Sequence, residues 1–419
     1  MASRKAGQPV DPVAGAAALV VRVALAILLI GAPIASVATR QAVYALVPIG
    51  AALTLVGWLM DPDIRGPRRL QQALYTQAGL GVVFLACWAA LSLLWTPFAV
   101  GPSERFVKSA TTVGLVGVAI AFMPERTKTS NLYLLPIGAS AGALALILAA
   151  AVGWNPPAPL LELTVLDRAA LGLTLLFWPA VAGLLIREKQ RLAVALAVLT
   201  VAALAAIGTR VAIAAIVVSA GVFFASRNRP RKTARWLSIG WGALLLLAPL
   251  LALALAVTVA PQTLPAAADP AIIWGQIVAA DGFRTFVGHG FDAAARAMAA
   301  GYLPLSPSRS MMFELWFELG IVGVLAAIFI IARMVQLAGD APRLVAPLLL
   351  AGLMSALVVS GFGVGISPIW WVTILALDGL AFALVLRGQF RGRRPSVSDI
   401  EGARVEPVRP RIPPRIQEP

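Results

Sequence analysis

The residues best equipped for chemistry stand close together in the stretch PLSPSRSMMFELWFELGIVG, residues 304–323. Glu314 and Glu318 are four apart, which puts both carboxylates on one face of a helix, and Arg309 lies five residues ahead of the first. Upstream, His289 sits between two glycines in VGHGF, a tight-turn setting for an imidazole whose ordinary pKa suits general-base work. A carboxylate or imidazole here could take a proton from an attacking hydroxyl. Glu314 also has a purely structural reading, because negative charge is favoured in the first turn of a helix. Glu318 lies one turn deeper, where burial demands a partner, and an arginine is the natural candidate.

A second group of side chains is cationic. Arg210 sits in IGTRVA, a connection so short that two helices must hold its guanidinium near an interface. Arg105 and Lys108 open one apolar run, Asp167 and Arg168 open another, and Arg284, Asp292 and Arg296 fall in the longest polar interruption. A planar, permanently charged guanidinium fits phosphate oxygens in pairs. Arg105, Lys108 and Arg168 stand at expected helix starts, where positive charge opposes the dipole, and this favours an anionic ligand there. The alternatives are arginines snorkelling to lipid headgroups and, for Asp167, a helix N-cap.

The elements that position these groups follow from hydropathy. The chain has 419 residues, of which 60% are hydrophobic, and a mean hydropathy of +0.87. Apolar runs recur at approximately 16–38, 42–60, 75–95, 107–123, 132–152, 168–186, 191–208, 211–226, 236–260, 312–334, 344–365 and 367–386. Runs of this length suit a hydrocarbon core about 30 Å thick. The expected fold is therefore all-α, a polytopic transmembrane bundle of about twelve spans occupying residues 1–386.

With the N-terminus placed in the cytoplasm, the inner segments carry 25 lysines and arginines and the outer ones 8, with Arg22 inside the first run. This is the positive-inside bias. The net charge of +15 is thus mainly a topology signal, and nucleic acid is not an expected partner. Both termini are expected in the cytoplasm. The first run is longer than a signal-peptide core and a second follows at once, so it reads as a retained span.

Most connections are short. The exception is the outer loop 261–311 between the ninth and tenth runs, with helical stretches at 271–280 and 292–300; a long loop with its own structure is usually functional. The Pro-rich loop 153–168 reads as lying on the membrane surface, and residues 387–419, arginines with six prolines, as a disordered cytoplasmic tail. A single cysteine, Cys87, allows no internal disulfide, and one histidine with one cysteine excludes a zinc site of the usual kind.

Four stretches resemble the O-antigen ligase and polymerase superfamily of bacterial inner-membrane glycosyltransferases. They are ALSLLWTPFAVGPSERF (90–106), LDRAALGLTLLFWPAV (166–181), AIGTRVAIAAIVVSAGVFF (206–224), and FVGHGFDAA followed by MFELWFELGIVGVL. The last is similar to the family's Trp-x-Glu-Leu-Gly-x-x-Gly helix after its large periplasmic loop, and the likeness is strongest over 195–330. The resemblance implies transfer or polymerisation of a glycan carried on undecaprenyl diphosphate, at the periplasmic face, with no metal or other cofactor. The acceptor would be lipid A core or a growing glycan. Arg210 matches a family diphosphate-binding arginine directly; Arg105, Arg168 and Arg284 match others less closely.

One departure stands out. Where the family carries a histidine held to activate the acceptor, this chain has Arg309, which cannot act as a base at neutral pH. Glu318, Glu314 and His289 are the candidates to replace it. Two other readings are a twelve-span secondary transporter and an inactive relative that binds glycan-lipid. The five-residue connection REKQR between the sixth and seventh runs is short for the common transporter fold.

Overall fold

The computed structural model describes residues 12–60, 66–98, 100–124, 127, 129–154, 156, 163–258, 269–280, 282–303 and 310–388. Arg309 and the tail beyond Gly388 lie outside the described residues, as does much of the 153–168 loop. The described chain is helical, with no strand beyond an isolated bridge between Thr127 and Gly388. A helix occupies each apolar run. Nine among the described residues are long and apolar enough to cross a membrane, and a tenth is added if Gly66–Leu74 and Gln77–Ser92, bent by 75°, form one span.

Arg210–Ser226 and Ala346–Phe362 have 17 residues each, about 25 Å of helix, which falls short of a full hydrocarbon core. They pack mainly against each other; Ala346–Phe362 is largely buried, whereas Arg210–Ser226 keeps one face exposed.

The helix Val165–Leu185 is the hub. Nearly all of its residues are buried, as expected of a helix that is apolar all round. It packs against Leu134–Ala151, Gln190–Ile207, Ala346–Phe362 and Ile369–Leu386. Its Trp178 donates to Ser219 Oγ at 2.9 Å, which satisfies a buried indole N–H. Small residues let other helices approach closely, as where Gly142 faces Pro33.

The chain ends its polar interruption on an irregular span. Met311–Glu314 is one helical turn, Leu315–Leu319 widens into a π-helical turn, and Gly320–Asp340 continues as a regular helix. Gly320 has φ +64°, a conformation that L side chains rarely adopt, and an added Cβ would collide with the Phe286 carbonyl. The opening frees three successive carbonyls for outside donors. Phe317 O accepts the His289 amide (2.7 Å), Glu318 O accepts the Gly290 amide (2.9 Å), and Leu319 O accepts the Trp88 indole (2.9 Å). Such π-helical irregularities recur at functional sites.

Candidate functional site

The Phe286–Gly290 segment lies along this opened helix and fixes His289. The imidazole stacks on the Phe317 ring, with centroids 4.1 Å apart and planes inclined by 11°. Nδ1 lies 3.0 Å from the Phe317 carbonyl. A carbonyl can only accept, so Nδ1 carries the proton, and in the neutral ring the lone pair is on Nε2. His289 is half-buried.

Glu318 is fully buried. Its Oε2 accepts the Asp292 amide at 3.0 Å and its Oε1 the Ala294 amide at 3.2 Å. It thereby caps the helix Ala293–Ala299 from a distant point in the sequence, satisfying amides that helix geometry leaves without partners. Asp292, itself fully buried with φ +62°, receives two guanidiniums. Arg105 Nη1 pairs with Oδ1, and Arg296 Nε with Oδ2 at 2.8 Å. Gly101, at φ +103°, admits the Arg296 guanidinium where any Cβ would overlap it. Phe291 N–H donates to Ser92 Oγ at 3.0 Å and completes the anchorage.

Glu314 is also fully buried. Its Oε2 accepts the Ser367 amide (3.1 Å) and hydroxyl (3.3 Å), and Gly365 lies so close that a Cβ there would overlap the carboxylate. Three residues beyond Ser367, Trp370 faces the buried Arg168, whose guanidinium carbon is 5.3 Å from the ring centroid.

Next to Arg168, Asp167 had a helix N-cap as its alternative reading. The cap is Thr164, whose Oγ1 accepts the Asp167 amide at 3.0 Å and donates to Asp167 Oδ2 at 2.7 Å. This arrangement leaves Asp167 Oδ1 to accept from Thr209 Oγ1 at 2.7 Å. Gly208, left-handed at φ +77°, ends the preceding helix, so the Gly208–Thr209 corner delivers Arg210 to the next helix start.

Contacts and chain adjacency together link Arg105 through Asp292, Glu318, the 311–319 turns, Ser367, Trp370 and the Asp167–Arg168 pair to Thr209, the neighbour of Arg210. All lie at the same end of the bundle.

The cations divide into two kinds. Arg105 and Arg296 neutralise Asp292, and Lys108 pairs with Glu104 on the surface. Arg210 and Arg284 are exposed and have no acidic partner among the described residues. Arg210 stands at one end of a groove of about 540 Å³ between Arg210–Ser226, Pro230–Thr258 and Ala346–Phe362. Val211, Val218, Leu244, Val358 and Phe362 make its walls apolar. From Arg210 to Val218 it runs about 12 Å along the helix axis.

Two further polar residues are Ser367, a partner of Glu314, and Asp378. The latter is a buried carboxyl in the middle of Ile369–Leu386, with Oδ1 unpaired. A lone acid within TILALDGLAF was the available signal for Asp378. For Ser367, nothing in ISPIW marks a carboxylate partner. Among the described residues no cluster of three or more His, Cys, Asp and Glu could hold a metal ion. No protein-family model, curated protein or solved structure matches the chain.

Proposed function

We propose that this protein transfers or polymerises a glycan carried on a polyprenyl diphosphate, undecaprenyl diphosphate in a bacterial inner membrane, and that the linked residues from Arg105 to Arg210 form its site. The carrying observation is the pairing of one exposed guanidinium, without an acidic partner among the described residues, with a long apolar groove opening beside it. That combination suits an amphiphile with an anionic head and a hydrocarbon tail. A diphosphate leaving group gains from fixed cations close to where its charge develops. Arg210 is the primary contact in this reading, with Arg284 as a second exposed cation, while Arg105 and Arg168 act mainly through Asp292 and Trp370.

On this proposal His289 is the better-placed proton acceptor. Both oxygens of Glu318 accept amides, and one oxygen of Glu314 accepts from Ser367, so each carboxylate has a structural task. Arg309 lies outside the described residues. In this reading the two 17-residue helices also cross the membrane, for twelve spans with both termini in the cytoplasm and the site on the periplasmic side. The acceptor is lipid A core or the growing glycan.

The backbone N–H groups that donate to the two carboxylates also favour a second reading, a protein that binds lipid-linked glycan without turning it over. Deletion in the source organism with profiling of lipopolysaccharide and exopolysaccharide separates the cases. Accumulated carrier-linked polymer means ligation, and single-repeat glycans mean polymerisation. An unchanged profile overturns both and points to transport.

A further inference from the structure

At the opposite end of the Arg210–Ser226 helix, about 25 Å away along its axis, two clefts of about 410 and 530 Å³ lie side by side. They share Arg231 and Lys232. Arg229 and Arg343 line one, and Arg235, Trp236 and Ile239 line the other. Five cations thus line the two clefts, with a single carboxylate among them, Asp340, which pairs with Arg231 at 2.8 Å.

Other arginines at this end are used differently. Arg69 donates to the Met123 carbonyl, Arg387 to the Ile120 and Met123 carbonyls, and Arg187 covers the Tyr133 ring. Those residues close helix ends. Arg229, Lys232, Arg235 and Arg343 have no acidic partner among the described residues.

A topology signal needs positive charge in a flanking segment, with no requirement that it converge. Here it comes together from segments distant in sequence, Arg229 to Arg235 at the start of the helix Pro230–Thr258 and Arg343, with an apolar wall in the second cleft. Trp236 is 64% exposed and Ile239 50% exposed, on the face of an apolar helix. Trp236 also lines the groove that ends at Arg210, so the hydrocarbon surface continues from the charged clefts into the bundle's side.

We propose that these clefts bind an anionic phospholipid from the leaflet on the basic side, with a two-phosphate headgroup as the preferred form. One phosphodiester sits among Arg229, Lys232 and Arg343, the second beside Arg235, and acyl chains lie over Trp236 and Ile239. A free phosphate would use the guanidiniums and leave the exposed indole uncovered; a lipid uses both. Clusters of basic residues at a membrane edge recognise lipid headgroups through the same charge complementarity. The proposal requires only that the bundle sit in a membrane and is independent of the reaction at the other end.

The test is native mass spectrometry of the full chain released from nanodiscs holding equal amounts of tetraoleoyl cardiolipin and dioleoyl phosphatidylcholine. Cardiolipin adducts are expected to survive preferentially and to fall about tenfold in K232Q/R235Q/R343Q. The exposed pair K189Q/R191Q, at the same end but outside the clefts, should keep them. Matched melting temperatures show that the variants fold, and if the triple variant does not, W236A supplies the test through loss of the same adducts. Equal retention of both lipids, unchanged retention in the triple variant, or equal loss in K189Q/R191Q would each overturn the proposal. So would cardiolipin adducts that survive undiminished in W236A, which would make the clefts a site for phosphate alone.

Discussion

The carboxylate of Glu318 holds the amide of Asp292, with Oε2 and the nitrogen 3.0 Å apart across a gap of 26 residues in sequence. Its other oxygen takes the Ala294 amide, so both oxygens face donors. Glu318→Gln replaces one acceptor by an NH2 group that must point at an N–H or leave it unpaired. Removing a buried acceptor from a charge-assisted pair costs about 1–3 kcal/mol. The expected outcome is a lower melting temperature in detergent, with any activity falling in parallel. Loss of activity at an unchanged melting temperature would instead make Glu318 the proton acceptor.

Asp292 should be still more sensitive. It is fully buried between Arg105 and Arg296, whose side chains are about one third exposed, and its backbone is left-handed. Asp292→Ala leaves two guanidiniums facing each other and a φ that alanine resists. Breaking a buried ion pair costs about 3–5 kcal/mol, and the solvent reaching both arginines lowers this to about 2–3 kcal/mol. Asp292→Asn keeps a side chain tolerant of this φ and should fall between alanine and the native protein. A thermal-shift series across the three measures the order.

Hydropathy made the bundle legible, because each apolar run became a helix and lipid leaves the backbone few other options. It could not show the 75° bend between Gly66–Leu74 and Gln77–Ser92, which depends on packing. The site was legible as a set of charges on one side. Which charges pair was not, since Arg105 and Asp292 are 187 residues apart and sequence spacing carries no trace of that contact. The same holds for the π-helical turn at Leu315–Leu319, whose carbonyls are claimed by Trp88, His289 and Gly290 from other segments. Local signals did better. The Thr164 cap was readable three residues ahead of Asp167, the residue for which the cap stood as an alternative role.

The glycines at the opened helix give a sharp contrast. Gly320→Ala forces an L side chain into φ +64° and drives Cβ into the Phe286 carbonyl. Gly365→Ala overlaps the Glu314 carboxylate. Each should destabilise by about 2 kcal/mol or more. Gly114, within Pro102–Phe122, has open space around its Cβ position, so Gly114→Ala should be neutral or stabilise by up to about 1 kcal/mol. Melting temperatures of the three variants, purified together, check both halves.

The reading of Arg210 as a headgroup contact predicts a separation between function and stability. Arg210 is exposed and makes no ion pair among the described residues, so Arg210→Ala should insert and melt as the native protein does. A guanidinium bonding phosphate oxygens in a low-dielectric site contributes about 3–4 kcal/mol to a developing charge, or about two to three decades in rate. Arg210→Lys keeps the charge but loses the paired geometry, and should retain only part of the activity. Thr209→Val removes the 2.7 Å bond to Asp167 that sets the corner, a loss of about 1 kcal/mol. It should weaken turnover about fivefold while leaving the cation in place. Glycan transfer measured in membranes from the three variants should rank native, T209V, R210K, then R210A. A native-like R210A would remove Arg210 from the site, whereas T209V falling as low as R210A would mean that the corner, and not the charge, is what the reaction needs.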